Sequence, residues 1–154
     1  MSADIPLHGP WDRERLDRYL HQCTTPLRLA CQGRNGYPAI VPLWFAWHAD
    51  SFWCATHRSA RLLEYLRADT RVGFEVANNH PPYYGVRGHG RVSLLPEAGG
   101  EWLERLLVHY LGNQPSAFSA WLLSRRDEEY ALCLQPERLS VWDYRSRMPA
   151  ASGD

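Results

Sequence analysis

Thr56, Arg58, Ser59 and Arg61 fall within six consecutive residues, Thr56-His57-Arg58-Ser59-Ala60-Arg61, where an apolar strand gives way to a helical pattern of Leu62, Leu63 and Leu66. The first turn of a helix has unpaired amides and a positive macrodipole end, so it favours Asp or Glu over arginine. Two guanidinium groups become sensible there once an external anion is added. A phosphate would satisfy the free amides and the dipole together. Thr56 and Ser59 would add hydroxyl donors, and Arg58 and Arg61 charge-assisted bonds that can be bidentate. Taken alone, the stretch also allows Ser59 to be a simple helix cap with both arginines in solvent.

Other residues with chemical capability are more scattered. His89 lies in a glycine-rich strand, "VRGHGRV", where it can hydrogen-bond a ligand or serve structure. His80 stands beside Pro81-Pro82 in a loop that can line a substrate mouth. Glu75 is a lone carboxylate inside an apolar strand, and pairing with Arg87 or Arg91 gives it a structural role. No Ser-His-Asp constellation follows from spacing. The four cysteines, Cys23, Cys31, Cys54 and Cys133, have no metal-site spacing and read as reduced core thiols of a cytosolic protein.

Composition narrows the chemistry. All 17 basic residues are arginine, so Schiff-base chemistry and a P-loop lysine are excluded. With a formal net charge of zero, no global field favours nucleic acid or an anionic membrane, and neither is expected as a partner. There is no signal-peptide pattern and no membrane-length apolar run, which predicts a cytoplasmic protein. The 154 residues suit one domain over 1–148, with a frayed tail over 149–154.

The elements that must position these residues follow from periodicity. "WDRERLDRYLHQ" predicts a helix, "PLRLACQG" a strand, and Asn35-Gly36 a hairpin turn. "PAIVPLWFAW" reads as one long strand with Pro42 at an edge or bulge, followed by the strand "FWCAT". After the Leu62–Leu66 helix come the strands "TRVGFEVA" and "YGVRGHGRVSLL". Trp102, Leu103, Leu106, Leu107, Tyr110 and Leu111 make one face of a helix that Gly112 ends. A shorter helix, "SAFSAWLLSRR", and a last strand, "YALCLQPERLSVWDY", complete the pattern. Hairpins dominate and helices are few, which predicts an α+β fold built on a mostly antiparallel, six-stranded closed barrel with flanking helices.

In this order and spacing the motifs resemble the flavin-binding split-barrel superfamily that includes pyridoxamine 5′-phosphate oxidase. The resemblance rests on Gly36-Tyr37-Pro38, Val41-Pro42-Leu43-Trp44-Phe45, Phe52 to Thr56, Ser59-Ala60-Arg61 and Thr70-Arg71-Val72, and spans roughly residues 25 to 145. It implies a six-stranded split β-barrel with FMN as cofactor, Ser59 and Arg61 on the phosphate and Thr56 and Arg58 beside them. Val41, Pro42, Leu43 and Trp44 would then flank the flavin ring. It further implies redox chemistry on a small molecule, and a homodimer with the cofactor at the interface. The surplus of large aromatics, Trp44, Trp47, Trp53, Tyr83, Tyr84 and Trp142, is compatible with that interface, and Trp142 resembles a residue that reaches the partner's site. Relatives on this barrel also bind deazaflavin or haem, which makes His89 an alternative axial ligand, and a barrel without cofactor would be a scaffold. Ala60 and Arg61 replace the oxidase's Arg and Lys, and Val41 and Ala46 replace the basic ends of its ring-flanking strand. That departure argues against pyridoxamine phosphate as substrate.

Overall fold

A computed structural model describes residues 4–147; the tail expected over 149–154 lies outside them. Leu27, Leu29 and Cys31 are buried and alternate with Arg28, Ala30 and Gln32, and this period of two makes the strand β2 (Leu27–Gln32). It is preceded by the short β1 (Leu7–His8) and by helix α1 (Arg13–Gln22), whose N-cap Asp12 accepts the Arg15 N–H at 2.8 Å. Leu16 and Leu20 of α1 are fully buried.

The Asn-Gly turn forms as its residues require. Asn35 and Gly36 take φ of 58° and 79°, and the Tyr37 N–H donates to the Arg34 carbonyl, so β2 runs into β3 (Pro38–Leu43) with matched twist. Next come β4 (Ala46–His48), β5 (Ser51–His57), helix α2 (Arg61–Ala68), β6 (Arg71–Ala77) and β7 (Tyr84–Leu95). Helices α3 (Gly99–Leu111) and α4 (Ala117–Ser124) then lead to β8 (Glu129–Asp143). Gly112, at φ 71°, ends α3. A reciprocal Ser116–Ser119 capping box starts α4, which buries none of its residues.

The strands form one sheet in the order β3-β2-β6-β7-β8-β5-β4, antiparallel throughout except that β1 adds to β8 in parallel. The fold is α+β, a split barrel with flanking helices. Six strands are long, as expected; β1 and β4, of two and three residues, are additional. The sheet is not closed by hydrogen bonds, which corrects the closed barrel expected from the strand pattern and agrees with the split barrel that the resemblance implies. The apolar run over 38–47 is two strands, not one. Trp44 and Phe45 carry the chain from β3, at one end of the sheet, to β4 at the other. At that crossing the Phe45 N–H leaves the ladder and donates to Tyr110 Oη at 3.1 Å. Pro42 sits in the edge strand β3, where its missing N–H is not needed by a second neighbour.

Phe45 and Phe52 are fully buried and form the barrel interior with Leu27, Leu29, Val76, Val86, Leu132 and Leu134. Of the surplus tryptophans, Trp47 belongs to this core and Trp53 packs on α3. Trp47 donates Nε1–H to Asp17 at 2.9 Å, and Trp53 stacks on Trp102 with centroids 4.5 Å apart. Trp11 donates to Asp143 at 3.0 Å, and Asp143 also accepts two bonds from the Arg145 guanidinium. These bonds, chiefly those from Arg145, hold the Asp143 carboxyl well below the usual range. All four cysteines are buried and unpaired. Among the described residues no helix is long and apolar enough to cross a membrane.

Candidate functional site

Strand β5 and the start of β8 lie side by side, with Thr56 opposite Tyr130 and His57 opposite Glu129. Beyond His57 the chain turns sharply: the Ala60 N–H donates to the His57 carbonyl at 2.9 Å, and the Arg58 N–H to that of Glu128 at 2.8 Å. Helix α2 then begins with Ala60 as its N-cap, which has no side-chain acceptor to offer. The amides of Arg61 and Leu62 therefore have no hydrogen-bond partner among the described residues.

Ser59 is not the cap. Its hydroxyl lies 2.7 Å from His57 Nδ1, and its own N–H donates to the same nitrogen at 3.2 Å. Nδ1 is thus an acceptor, which places the ring proton on Nε2, where it donates to Glu128 Oε2 at 2.8 Å. Arg58 donates to the other oxygen, Oε1, at 3.0 Å. The His57 bond first, and the nearby Arg58 charge after it, lower the Glu128 carboxyl from its ordinary value. Arg61 is exposed and has no carboxylate within 4.0 Å among the described residues, so it is the unengaged guanidinium of the turn.

A cavity of about 350 Å³ adjoins the turn, lined by Pro42, Leu43, Trp44, Thr56, His57, Arg125 and Glu129 and walled by Leu103, Leu106, Phe118 and Trp121. That is near the lower end of the range for small-molecule sites. Trp44 has one ring face stacked on Tyr110, at 4.7 Å and 8°, and Phe118 meets it edge-on. The Arg125 guanidinium lies 4.6 Å from the Trp121 ring centre. The site thus has aromatic walls, one cation, and a turn rich in donors.

The structure brings Pro42, Leu43, Trp44 and Thr56 to this cavity and sets Arg58, Ser59 and Arg61 on the adjoining turn. Val41 instead packs against the core. Trp142 lies near the far end of β8, opposite Gly85 and below Arg87, away from Thr56. His89 is exposed on the outer face of β7, opposite Gly73 and Arg138. His80 is exposed in the loop that Asn78 organises by bonding the His80 carbonyl and the Tyr84 N–H. Glu75 faces Arg28 and Arg87 across the sheet, whereas Arg91 pairs with Glu137.

His57, Glu128, Arg125 and Glu129 were not singled out by sequence. Glu128 and Glu129 end a charged run, "RRDEE", which reads as solvent-facing. Yet Glu129 is only 6% exposed, and burial raises its carboxyl despite partial relief from His57 and Arg125. The native state therefore takes up a proton that the unfolded chain releases, and this contribution to stability is lost as pH rises through the raised value. Glu129→Gln should stabilise the protein at neutral pH. The gain should vanish in acid below the ordinary carboxylate range, as thermal melts at the two pH values would show.

Solved structures share this architecture. A conserved hypothetical protein from Mycobacterium tuberculosis superposes with a TM-score of 0.76 at 20% identity, covering 94% of this chain and 93% of that one. An F420 reductase gives 0.63 at 20% identity, covering 86% and 98%. An FAD-binding protein from Mesorhizobium loti gives 0.59 at 23% identity, covering 84% and 92%. At these identities the likeness is one of fold. No curated protein sequence matches. The family model described as pyridoxamine 5′-phosphate oxidase matches residues 14–142, a span that runs from α1 into the end of β8, and on that match the chain belongs to the pyridoxamine 5′-phosphate oxidase family.

Proposed function

We propose that the chain binds FMN and carries out redox chemistry on a small molecule, as a cytoplasmic homodimer with the cofactor between subunits. The observation that carries this reading is the uncapped start of α2, with two unpartnered amides and the unengaged Arg61, directly beside an aromatic-walled cavity. The flavin, when bound, supplies hydride and electron exchange. Arg61 and the amides of Arg61 and Leu62 bind the phosphate. Arg58 and Ser59 join them by exchanging their contacts with Glu128 and His57. Pro42, Leu43 and Trp44 keep water from the ring. A cavity this small needs a second subunit to enclose a cofactor, which supports the dimer. Four unpaired buried thiols support a reducing compartment. Val41 and Ala46 offer no cation to a substrate phosphate, which favours an unphosphorylated substrate over pyridoxamine phosphate.

A deazaflavin is the second reading, because a fold neighbour is an F420 reductase and its phosphate would use the same turn. His89 gives haem less support, since three guanidinium groups, those of Arg28, Arg87 and Arg138, share its hollow. Titration of wild type with FMN, followed by flavin fluorescence, should show saturable binding. Arg61→Ala should weaken it at least about tenfold through loss of charge-assisted bonds. Binding of deazaflavin in preference to FMN would select the second reading, and an affinity unchanged in Arg61→Ala would overturn the role of the turn.

A further inference from the structure

A larger cavity, of about 740 Å³, lies on the outer face of the sheet. Strand register places Arg28, Glu75, Arg87 and Ser140 in one row across four neighbouring strands. Ala30, Gly73, His89 and Arg138 form the adjacent row. Because residues two apart on a strand share a face, both rows point outward together. Three arginines therefore converge on this hollow against a single carboxylate.

None of the three is neutralised. Elsewhere on the sheet Arg71 pairs with Asp69 and Arg91 with Glu137. Among the described residues, Arg28, Arg87 and Arg138 have no carboxylate within 4.0 Å, although Glu75 is the register neighbour of both Arg28 and Arg87. Arg28 uses one N–H on the Pro26 carbonyl, and Arg87 rests 5.6 Å from the centre of the Trp142 ring. Arg28 and Arg87 stand two strands apart, so their backbones are separated by about 10 Å. One small anion between them, or two anionic groups on one molecule, would relieve the repulsion that Glu75 leaves.

The floor of the hollow gives a second, independent sign. Gly73 has no positive φ, and a Cβ built there would meet only ordinary contacts, at 3.8 Å to the Gly88 carbonyl and 3.9 Å to Ala30. Neither backbone nor packing requires glycine at this strand position, where a β-branched residue would be favoured. What its missing side chain provides is the depth of the hollow.

We propose that the outer-face hollow formed by Arg28, Arg87, Arg138, His89 and Gly73 binds a small soluble molecule carrying two or more anionic groups. The site is separate from the cofactor cavity and does not rest on the FMN reading. Calorimetric titration at low ionic strength with inorganic pyrophosphate, citrate and acetate tests it. Pyrophosphate or citrate should bind one per subunit, acetate at least about tenfold more weakly, and the tighter of the first two identifies the ligand as phosphorylated or carboxylic. Arg87→Gln and Arg138→Gln should each weaken binding at least about tenfold. Gly73→Val should abolish it while leaving the melting temperature unchanged or higher. Arg61→Ala, which tests the flavin site, should leave it intact. The proposal falls if neither polyanion binds, if binding survives Gly73→Val, or if Arg61→Ala removes it, which would locate the anion at the α2 turn. It also falls if the arginine substitutions split a dimer in sedimentation without changing anion affinity, since the hollow would then be a subunit contact.

Discussion

Phe52→Ala should lower the melting temperature by about 12 °C. The ring is fully buried and touches three others, Phe45, Trp47 and Phe74, at centroid distances of 5.4, 4.7 and 4.8 Å. These rings come from β3–β4, β4 and β6, so the side chain joins both ends of the open sheet to its middle. Removing it loses transfer free energy and leaves a cavity that such mutually packed rings cannot collapse to fill. The expected cost is about 4 kcal/mol, which for a chain of this size corresponds to about 3 °C per kcal/mol. Circular dichroism melts of wild type, Phe52→Leu and Phe52→Ala measure it, with the leucine variant falling between. A loss below about 1 kcal/mol would mean that the interior relaxes around the gap.

Gly99→Ala should cost about 3 kcal/mol although it adds a single methyl group. A Cβ at Gly99 would overlap the Glu129 carbonyl oxygen and stand 2.6 Å from the Tyr130 nitrogen, both backbone atoms of β8 that no rotamer change can move. The start of α3 would have to lift from the sheet. Since Glu129 and the α3 residues Leu103 and Leu106 line the cavity proposed for the cofactor, FMN affinity in the titration above should fall along with stability. Gly73→Ala is the matched control, because its Cβ meets nothing closer than 3.8 Å. Equal melting temperatures for the two alanine variants would refute the steric account.

The sheet was legible where side-chain alternation and turn chemistry coincide, as in β2 with Asn35-Gly36, and in Leu62, Leu63 and Leu66 on the buried side of α2. The break at Trp44-Phe45 was not, because a chain that moves from one sheet end to the other keeps an unbroken apolar run: both halves face the same core. Its signature is a backbone amide answered by Tyr110, 65 residues away. The same limit governs the site. A strand running into a helix start rich in arginine and hydroxyls is a local pattern, and it located the turn. The engagement of His57 and of Arg58 by Glu128 joins residues about 70 positions apart and follows only from β5 lying against β8. Glu129 is the clearest case. Within a run of charges it has the composition of a surface residue, and only the approach of α3 at Gly99 encloses it.

The position of β8 bears on how the molecule is made. It follows every other described strand in the chain, yet it pairs with β7 on one side, β5 on the other and β1 as well. Until its residues leave the ribosome, β5 and β7 each present a bare edge of N–H and C=O groups. The nascent chain cannot settle hairpin by hairpin, so assembly waits for synthesis to be nearly complete. Such a chain depends on the cell keeping its half-made edges apart, and interrupted translation products should be prone to aggregate.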